Sequence, residues 1–250
     1  MKILGIIPAR YGSTRLEGKP LADIGGKPMI QHVYERANQA LHQVLVATDD
    51  ERIARAVIGF GGKVVLTSHA HNTGTNRCLE AYDSYVNESG YHQEVIINIQ
   101  GDEPMLDPGD IQMLGASFEH EQVQMATLIS PLKTAEELWD DGVVKVVMDQ
   151  NRDALYFSRS AVPHVRDAEK ENWLKHHTFY KHIGMYAYRP KALQHFASLP
   201  QSSLELAEAL EQNRWLEDGQ KIRLEITKHQ GISVDTPADL ENVRNLMAHK

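Results

Sequence analysis

KILGIIPARYGSTRLEGKPL, residues 2–21, is a short apolar run followed at once by a loop rich in glycine and cations. The run at 2–8 is too brief to cross a membrane and meets Pro8 and Arg10, so it reads as a buried strand and not as a signal peptide. A loop at the carboxyl end of such a strand is where parallel α/β sheets bind their ligands. This one holds Gly12 and Gly18, Ser13 and Thr14, and the cations Arg10, Arg15 and Lys19. Backbone N–H groups of a loop like this cradle phosphate oxygens, and the cations neutralise them. It is not a Walker A loop: five residues separate Gly12 from Gly18, and Pro20 stands where a magnesium-binding Ser or Thr would be. Nor does it match G-x-G-x-x-G, which argues against a dinucleotide-dependent oxidoreductase. The plainer alternative is a glycine-rich surface turn with solvated cations.

Working outward, apolar β-branched runs recur at 43–48, 63–67 and 94–100. Runs without polar alternation predict strands buried on both faces. Between them lie helical patterns. Pro28 suits a helix start, with Met29, Val33, Ala37 and Leu41 at four-residue intervals. Asp49 or Asp50 can cap the next helix, which Gly61 and Gly62 would end, and Thr73 can cap a third containing Leu79, Tyr82 and Val86. This alternation predicts an α/β fold: a mostly parallel sheet with helices on both faces. Further strands are expected at 125–132, 143–148, 154–158, 183–188 and 222–227, with a hairpin turn at 150–153. A single helix is expected over 204–215, and Asp235-Thr236-Pro237 opens a last one with Leu240, Val243, Leu246 and Met247 on its apolar face. Residues 160–181 are polar and read as an excursion, a lid or an oligomer contact. The whole reads as one domain, 1–250, with a small mixed subdomain near 150–190.

Composition excludes several classes. With 250 residues and 42% hydrophobic content, the chain is not disordered and can bury a sizeable core. A net charge of -8 argues against a general nucleic-acid binder, though a local basic pocket can still take an anionic substrate. No apolar run is long enough for membrane insertion. The lone Cys78 excludes an internal disulfide framework, fits a reducing, cytoplasmic setting, and reads as a small buried apolar residue. Thirteen histidines come without HExxH or a cysteine pair, so zinc is not expected.

Two further segments carry candidate chemistry. NIQGDEP, 98–104, leaves a buried run and places Asp102 at the same sheet edge as the loop. A carboxylate there suits Mg²⁺, a hard cation that takes carboxylate and phosphate oxygens. A turn aspartate before Pro104 is the simpler reading. VDTPADL, 234–240, offers Asp235 either as the cap of the last helix or as a second carboxylate for the metal. Sequence spacing alone does not say whether Asp102 and Asp235 meet.

Together, IIPARYGSTRLEGKPL, NIQGDEPM, ALYFSR, HIGMYAYR and VDTPADL resemble the 3-deoxy-D-manno-octulosonate cytidylyltransferases (CMP-Kdo synthetases), nearly end to end and in the family's order. Sialic-acid-activating relatives share the first loop but lack QGDEP. The resemblance implies a Rossmann-like nucleotidyltransferase fold, a homodimer, and transfer of CMP from CTP to Kdo with release of pyrophosphate, the sugar activation for lipopolysaccharide. It puts Pro8, Ala9, Arg10, Tyr11, Gly12, Ser13, Arg15 and Lys19 in the nucleotide-binding loop, with Arg10 and Lys19 acting on the phosphates. It makes Asp102 and Asp235 the Mg²⁺ ligands. Arg77, Gln100, Arg159, His182, Tyr186, Glu211 and Gln212 would line the sugar-acid pocket. On pattern alone, Arg77 and Arg159 read equally as structural ion-pair partners, and Glu211 and Gln212 as solvated helix positions. Asn76 departs from the family's acidic residue, which bears on how Arg77 is supported, and 166–178 match poorly. Another ulosonic acid as substrate and a silent nucleotide-sugar binding module are the competing functions. The silent module would be expected to have lost Lys19, Asp102 or Asp235, and all three are present.

Overall fold

The computed structural model describes residues 1–12, 15–71 and 73–248. In chain order the first half runs β1 (Ile3–Ala9), β2 (Asp23–Ile24), β3 (Lys27–Pro28), α1 (Met29–Ala40), β4 (Val44–Thr48), α2 (Glu51–Gly59), β5 (Val64–Leu66), α3 (Gly74–Ser89) and β6 (Val95–Asn98). Then come α4 (Pro108–Ala116), β7 (Met125–Pro131), α5 (Ala135–Trp139), β8 (Lys145–Met148), β9 (Ala154–Ser158), α6 (Trp173–His176) and β10 (Tyr180–Tyr188). The chain finishes with α7 (Pro190–Ser198), α8 (Ser203–Glu208), α9 (Gln212–Glu217), β11 (Arg223–Ile226) and α10 (Pro237–Ala248).

One sheet organises the molecule, in the order β11-β7-β10-β6-β1-β4-β5. The pairs β1–β4, β1–β6, β4–β5 and β7–β11 are parallel, and only β10 runs against its neighbours in that row. The hairpin β8–β9 hangs from the start of β10 through Tyr180 and Lys181. Successive strand residues point to opposite faces, so each central strand must be apolar on both. Ile7 of β1, Val44 and Val46 of β4, and Val95 and Ile97 of β6 pack against α1, α2 and α4. Leu4 and Ile6, Leu45 and Ala47, and Ile96 pack on the other face against α3, α7 and α9. This is the Rossmann-like α/β arrangement read from the sequence. One strand departs from it: β5 lies at the sheet edge and leaves Leu66 exposed, so it is not buried on both faces.

Local chemistry sets the element ends. Asp50, and not Asp49, caps α2, accepting from the Arg52 N–H at 2.8 Å. Thr73 caps α3. The helix expected over 204–215 is two: Ala209 takes a left-handed conformation (φ 51°) that ends α8, and α9 restarts at Gln212. On α10, Leu240 and Val243 are buried as expected, but Leu246 is exposed. Residues 160–179 leave the sheet and pack Trp173 and Phe179 with Leu132 and Leu138 in a small core of their own, whereas Tyr180 and Lys181, expected in the excursion, already pair with β7 and β8, so β10 starts three residues before the strand expected at 183–188. Among the described residues no helix is long and apolar enough to cross a membrane.

Candidate active site

The carboxyl ends of β1 and β6 lie side by side, and the loops that leave them form a polar cleft. After β1 the chain turns back so that the Gly18 N–H donates to the Tyr11 carbonyl at 3.0 Å. Gly18 has φ 66°, a conformation that side chains disfavour, and a Cβ there would lie 3.1 Å from the Tyr11 ring. The Tyr11 ring is covered in turn by the Arg52 guanidinium at 3.3 Å, which Asp50 holds at 2.7 Å. This closure delivers Lys19 to the cleft at the start of a short 3₁₀ turn.

After β6, Gly101 passes so near β1 that a Cβ would sit 2.9 Å from the Pro8 carbonyl oxygen, a backbone atom that cannot swing away. Glycine there lets the turn lie against β1 and aims Asp102 inward. The Asp102 carbonyl accepts from the Val234 N–H at 2.9 Å, which brings in the segment before α10. Thr236, not Asp235, caps that helix: its hydroxyl accepts from the Asp239 N–H, and the Asp239 carboxylate accepts from the backbone of Asp235 and Thr236. The Asp235 carboxylate is thereby left for the cleft. Lys19 Nζ lies 2.7 Å from Asp102 and 3.2 Å from Asp235, and Arg15 pairs with Asp235 at 3.0 Å.

Two carboxylates 133 positions apart thus converge on one cation. A divalent hard cation fits that donor set, since Mg²⁺ is commonly held by one or two carboxylates while substrate phosphates and water complete its shell. Lys19 now supplies the positive charge between them. Pro8, Ala9, Arg10, Arg15, Lys19, Gln100, Asp102 and Asp235 line a cavity of about 300 Å³.

A second cavity of about 150 Å³ shares the wall formed by Pro8 and Gln100. Its remaining lining comes from the start of α3 (Gly74, Thr75), the end of β6 (Asn98), β10 (Tyr186, Tyr188), Phe196, and the α8–α9 junction (Glu211, Gln212). Three polar atoms here are buried with no partner: Asn98 Oδ1, the Tyr186 hydroxyl and Gln212 Nε2. Each such atom costs about 1–3 kcal/mol unless something binds it, so the cavity is built for a polar guest. Burial first, and then the Glu211 carboxylate, push the Tyr186 phenol well above its ordinary range, so it stays protonated and can donate. Glu211 is fixed by the Thr75 hydroxyl at 2.7 Å and by Arg214. Gln100 donates to the Gly184 carbonyl at 2.7 Å, which settles its amide on the shared wall.

Several expected site residues are not brought to these cavities. Arg77 is buried against Asp49 (2.7 Å) and Thr67 (2.6 Å), as a desolvated guanidinium requires. Asp49, not residue 76, supplies its carboxylate. Arg159 is turned onto the carbonyls of Glu208 and Asp141. His182 lies within the sheet, against Thr127, Phe157 and Tyr186, where desolvation lowers its pKa to about 3 and keeps it neutral. Tyr11 closes the loop through its carbonyl and ring, neither it nor Gly12 lines the cavity, and Ser13 lies outside the described residues. Asn98 and Thr75 were missed from sequence. A lone Asn inside VIINIQ was the available signal. Larger grooves of about 750 and 540 Å³ lie at the amino ends of the strands; the first mixes Asp83 and Glu94 with Arg189 and Lys191, and the second has Lys2 but no acidic residue in its lining.

The cytidylyltransferase family model matches residues 4–222. The 3-deoxy-manno-octulosonate cytidylyltransferase of Parabacteroides distasonis is 50% identical, with all of both chains covered. The protein of the same name from Geobacter sulfurreducens is 50% identical, covering 97% of this chain and 98% of its own. A solved CMP:2-keto-3-deoxy-manno-octonic acid synthetase complexed with CTP superposes with a TM-score of 0.91 at 45% identity, covering 100% of this chain and 99% of that one.

Proposed function

The chain belongs to the cytidylyltransferase family and, within it, to the 3-deoxy-manno-octulosonate cytidylyltransferases, and on that premise we propose that it transfers CMP from CTP to Kdo in the larger polar cleft and its neighbour. The observation that carries this reading is the pair of cavities joined at Pro8 and Gln100. One is lined with cations and two carboxylates, the other with polar atoms that lack partners. A triphosphate in the first and a polyhydroxylated acid in the second would meet at the shared wall.

In the reaction, the anomeric hydroxyl of Kdo gives up its proton to solvent as its oxygen forms a bond to the α-phosphorus of CTP. The bond to the β-phosphate oxygen breaks in line, and pyrophosphate leaves with that electron pair. Such a transfer depends on positioning and charge neutralisation more than on a covalent enzyme group. Arg10, Arg15 and Lys19 face the phosphates and offset the charge that develops on the leaving group. Gln100, Tyr186 and Gln212 orient the sugar, whose hydroxyls satisfy the stranded polar atoms. Asp102 and Asp235 would hold Mg²⁺, which would supply charge neutralisation at the phosphates.

This activity places the protein at the step that activates the sugar for lipopolysaccharide. A cytoplasmic setting and a homodimer go with the same reading. Light scattering at working concentration tests the dimer.

Acceptor selectivity tests the substrate. With CTP and Mg²⁺ fixed, Kdo should turn over far faster than sialic acid. Equal or reversed turnover would assign the second cavity to another ulosonic acid.

A further inference from the structure

The α8–α9 junction carries two walls of the sugar-acid cavity, Glu211 and Gln212, yet contains a residue in a disfavoured conformation, Ala209. Something must hold it in place. Glu208, the last residue of α8, lines neither cavity and gathers donors from β9 and its exit. Its Oε1 accepts from the Tyr156 hydroxyl at 3.1 Å and the Ser158 hydroxyl at 2.7 Å. Its Oε2 accepts from the Arg159 backbone N–H at 2.9 Å. Its own carbonyl accepts from Arg159 Nε at 2.8 Å. Four hydrogen bonds therefore tie one residue to three consecutive or alternate positions of β9 and its exit. Burial works against the Glu208 charge, but the donors from Arg159, Ser158 and Tyr156 outweigh it and hold the carboxyl below its ordinary pKa. On the far side of the junction, Asn213 makes a lighter tie, donating to the Phe157 carbonyl at 3.0 Å.

We propose that Glu208 is a positioning residue for the sugar acid: it clamps the helix break to β9, so that Glu211 and Gln212 face the cavity. The clamp rests on the function proposed above. It explains why a single carboxylate, outside the lining of the phosphate cavity, accepts from Tyr156, Ser158 and Arg159. Hydrogen bonds to a charged acceptor are the strong ones, and their removal is felt where the geometry they fix is used. The phosphate cavity draws no residue from this junction, so the nucleotide should not notice the change.

Steady-state kinetics of Glu208→Ala and Glu208→Gln, with Kdo and CTP varied separately, test the clamp. Glu208→Ala should raise the KM for Kdo at least about tenfold while the KM for CTP stays within about twofold. Glu208→Gln should recover most of the loss, because its amide oxygen can accept from the Arg159 N–H while its NH₂ donates to the two hydroxyls. If Glu208→Ala does not fold, the double variant Tyr156→Phe, Ser158→Ala removes two donors without touching Glu208. It should raise the KM for Kdo in the same selective way. A parallel rise in both KM values, or an unchanged KM for Kdo, overturns the clamp. Wild-type enzyme in the same assay separates the two claims: without turnover on Kdo the function itself falls, and with turnover only the clamp is on trial.

Discussion

Lys19 stands between Asp102 and Asp235, and that arrangement is the most telling contact in the molecule. Removing one carboxylate should leave the cation site with half of its charge. Asp102→Ala is expected to lower turnover by about 10³-fold or more while CTP still binds, because the cations of the first loop remain. Turnover close to wild type would contradict the metal assignment. His182 gives a different prediction. Its pKa is lowered to about 3 in the fold against 6.5 ordinarily, so the folded state binds fewer protons than the unfolded one. Its contribution is intact above about pH 6.5 and is lost as pH falls toward about 3. Urea midpoints at about pH 7.5 and about pH 5 should therefore fall more steeply for wild type than for His182→Gln. Identical slopes would mean that His182 is not held neutral by burial. Legibility differed among these residues. The loop cations and both aspartates stood out because strand ends in α/β sheets are where ligands bind. For Arg77 the sequence leaves a pocket role and a structural ion pair open, and the structure shows the ion pair, with Asp49, a partner near only in space.

Elements place these side chains, and two short ones matter most. Gly101 lets the turn after β6 lie against the Pro8 carbonyl. Gly101→Ala should push Asp102 outward and lower kcat by about 10²-fold with little loss of folded protein, as a displacement of about 1 Å suffices. Circular dichroism and pyrophosphate release together check this, and an unchanged kcat would refute the close approach. At the α8–α9 junction, Ala209 adopts φ 51° in an exposed position. Ala209→Gly should stabilise the protein by about 1 kcal/mol, visible as a rise of about 2–4 °C in Tm. A fall in Tm would argue against left-handed strain there. The junction was invisible in sequence because SLELAEALEQNRWLE keeps helical composition across the break. What ends α8 is tertiary: Glu208 is held by β9 and Leu210 is buried beneath the junction. The strands were easier to read, since apolar runs with no alternation leave few other options.

At the scale of the whole molecule, one sheet with helices on both faces brings the ends of β1 and β6 together, and the return of the chain through β10, the α8–α9 junction and α10 completes the cleft. The first half was readable as repeated β-α units. The second was less so, because β10 runs against its neighbours and the final segment reaches Asp102 through a single backbone bond from Val234. No local pattern announces such crossings. Residues 160–179 have a separate small core around Trp173. Trp173→Ala should cost about 3–5 kcal/mol locally and raise amide exchange in 160–179 before the central strands. Uniform loss of protection would mean that the excursion and the sheet unfold as one unit.

The proposed reaction needs CTP in one cavity, a sugar acid in the adjoining one, and Mg²⁺ held by Asp102 and Asp235. Pyrophosphate release with CTP, Mg²⁺ and Kdo, omitting one component at a time, tests it most directly. Release that requires all three, and vanishes with EDTA, is the predicted result. Release without the sugar, or undiminished release in EDTA, would contradict the account.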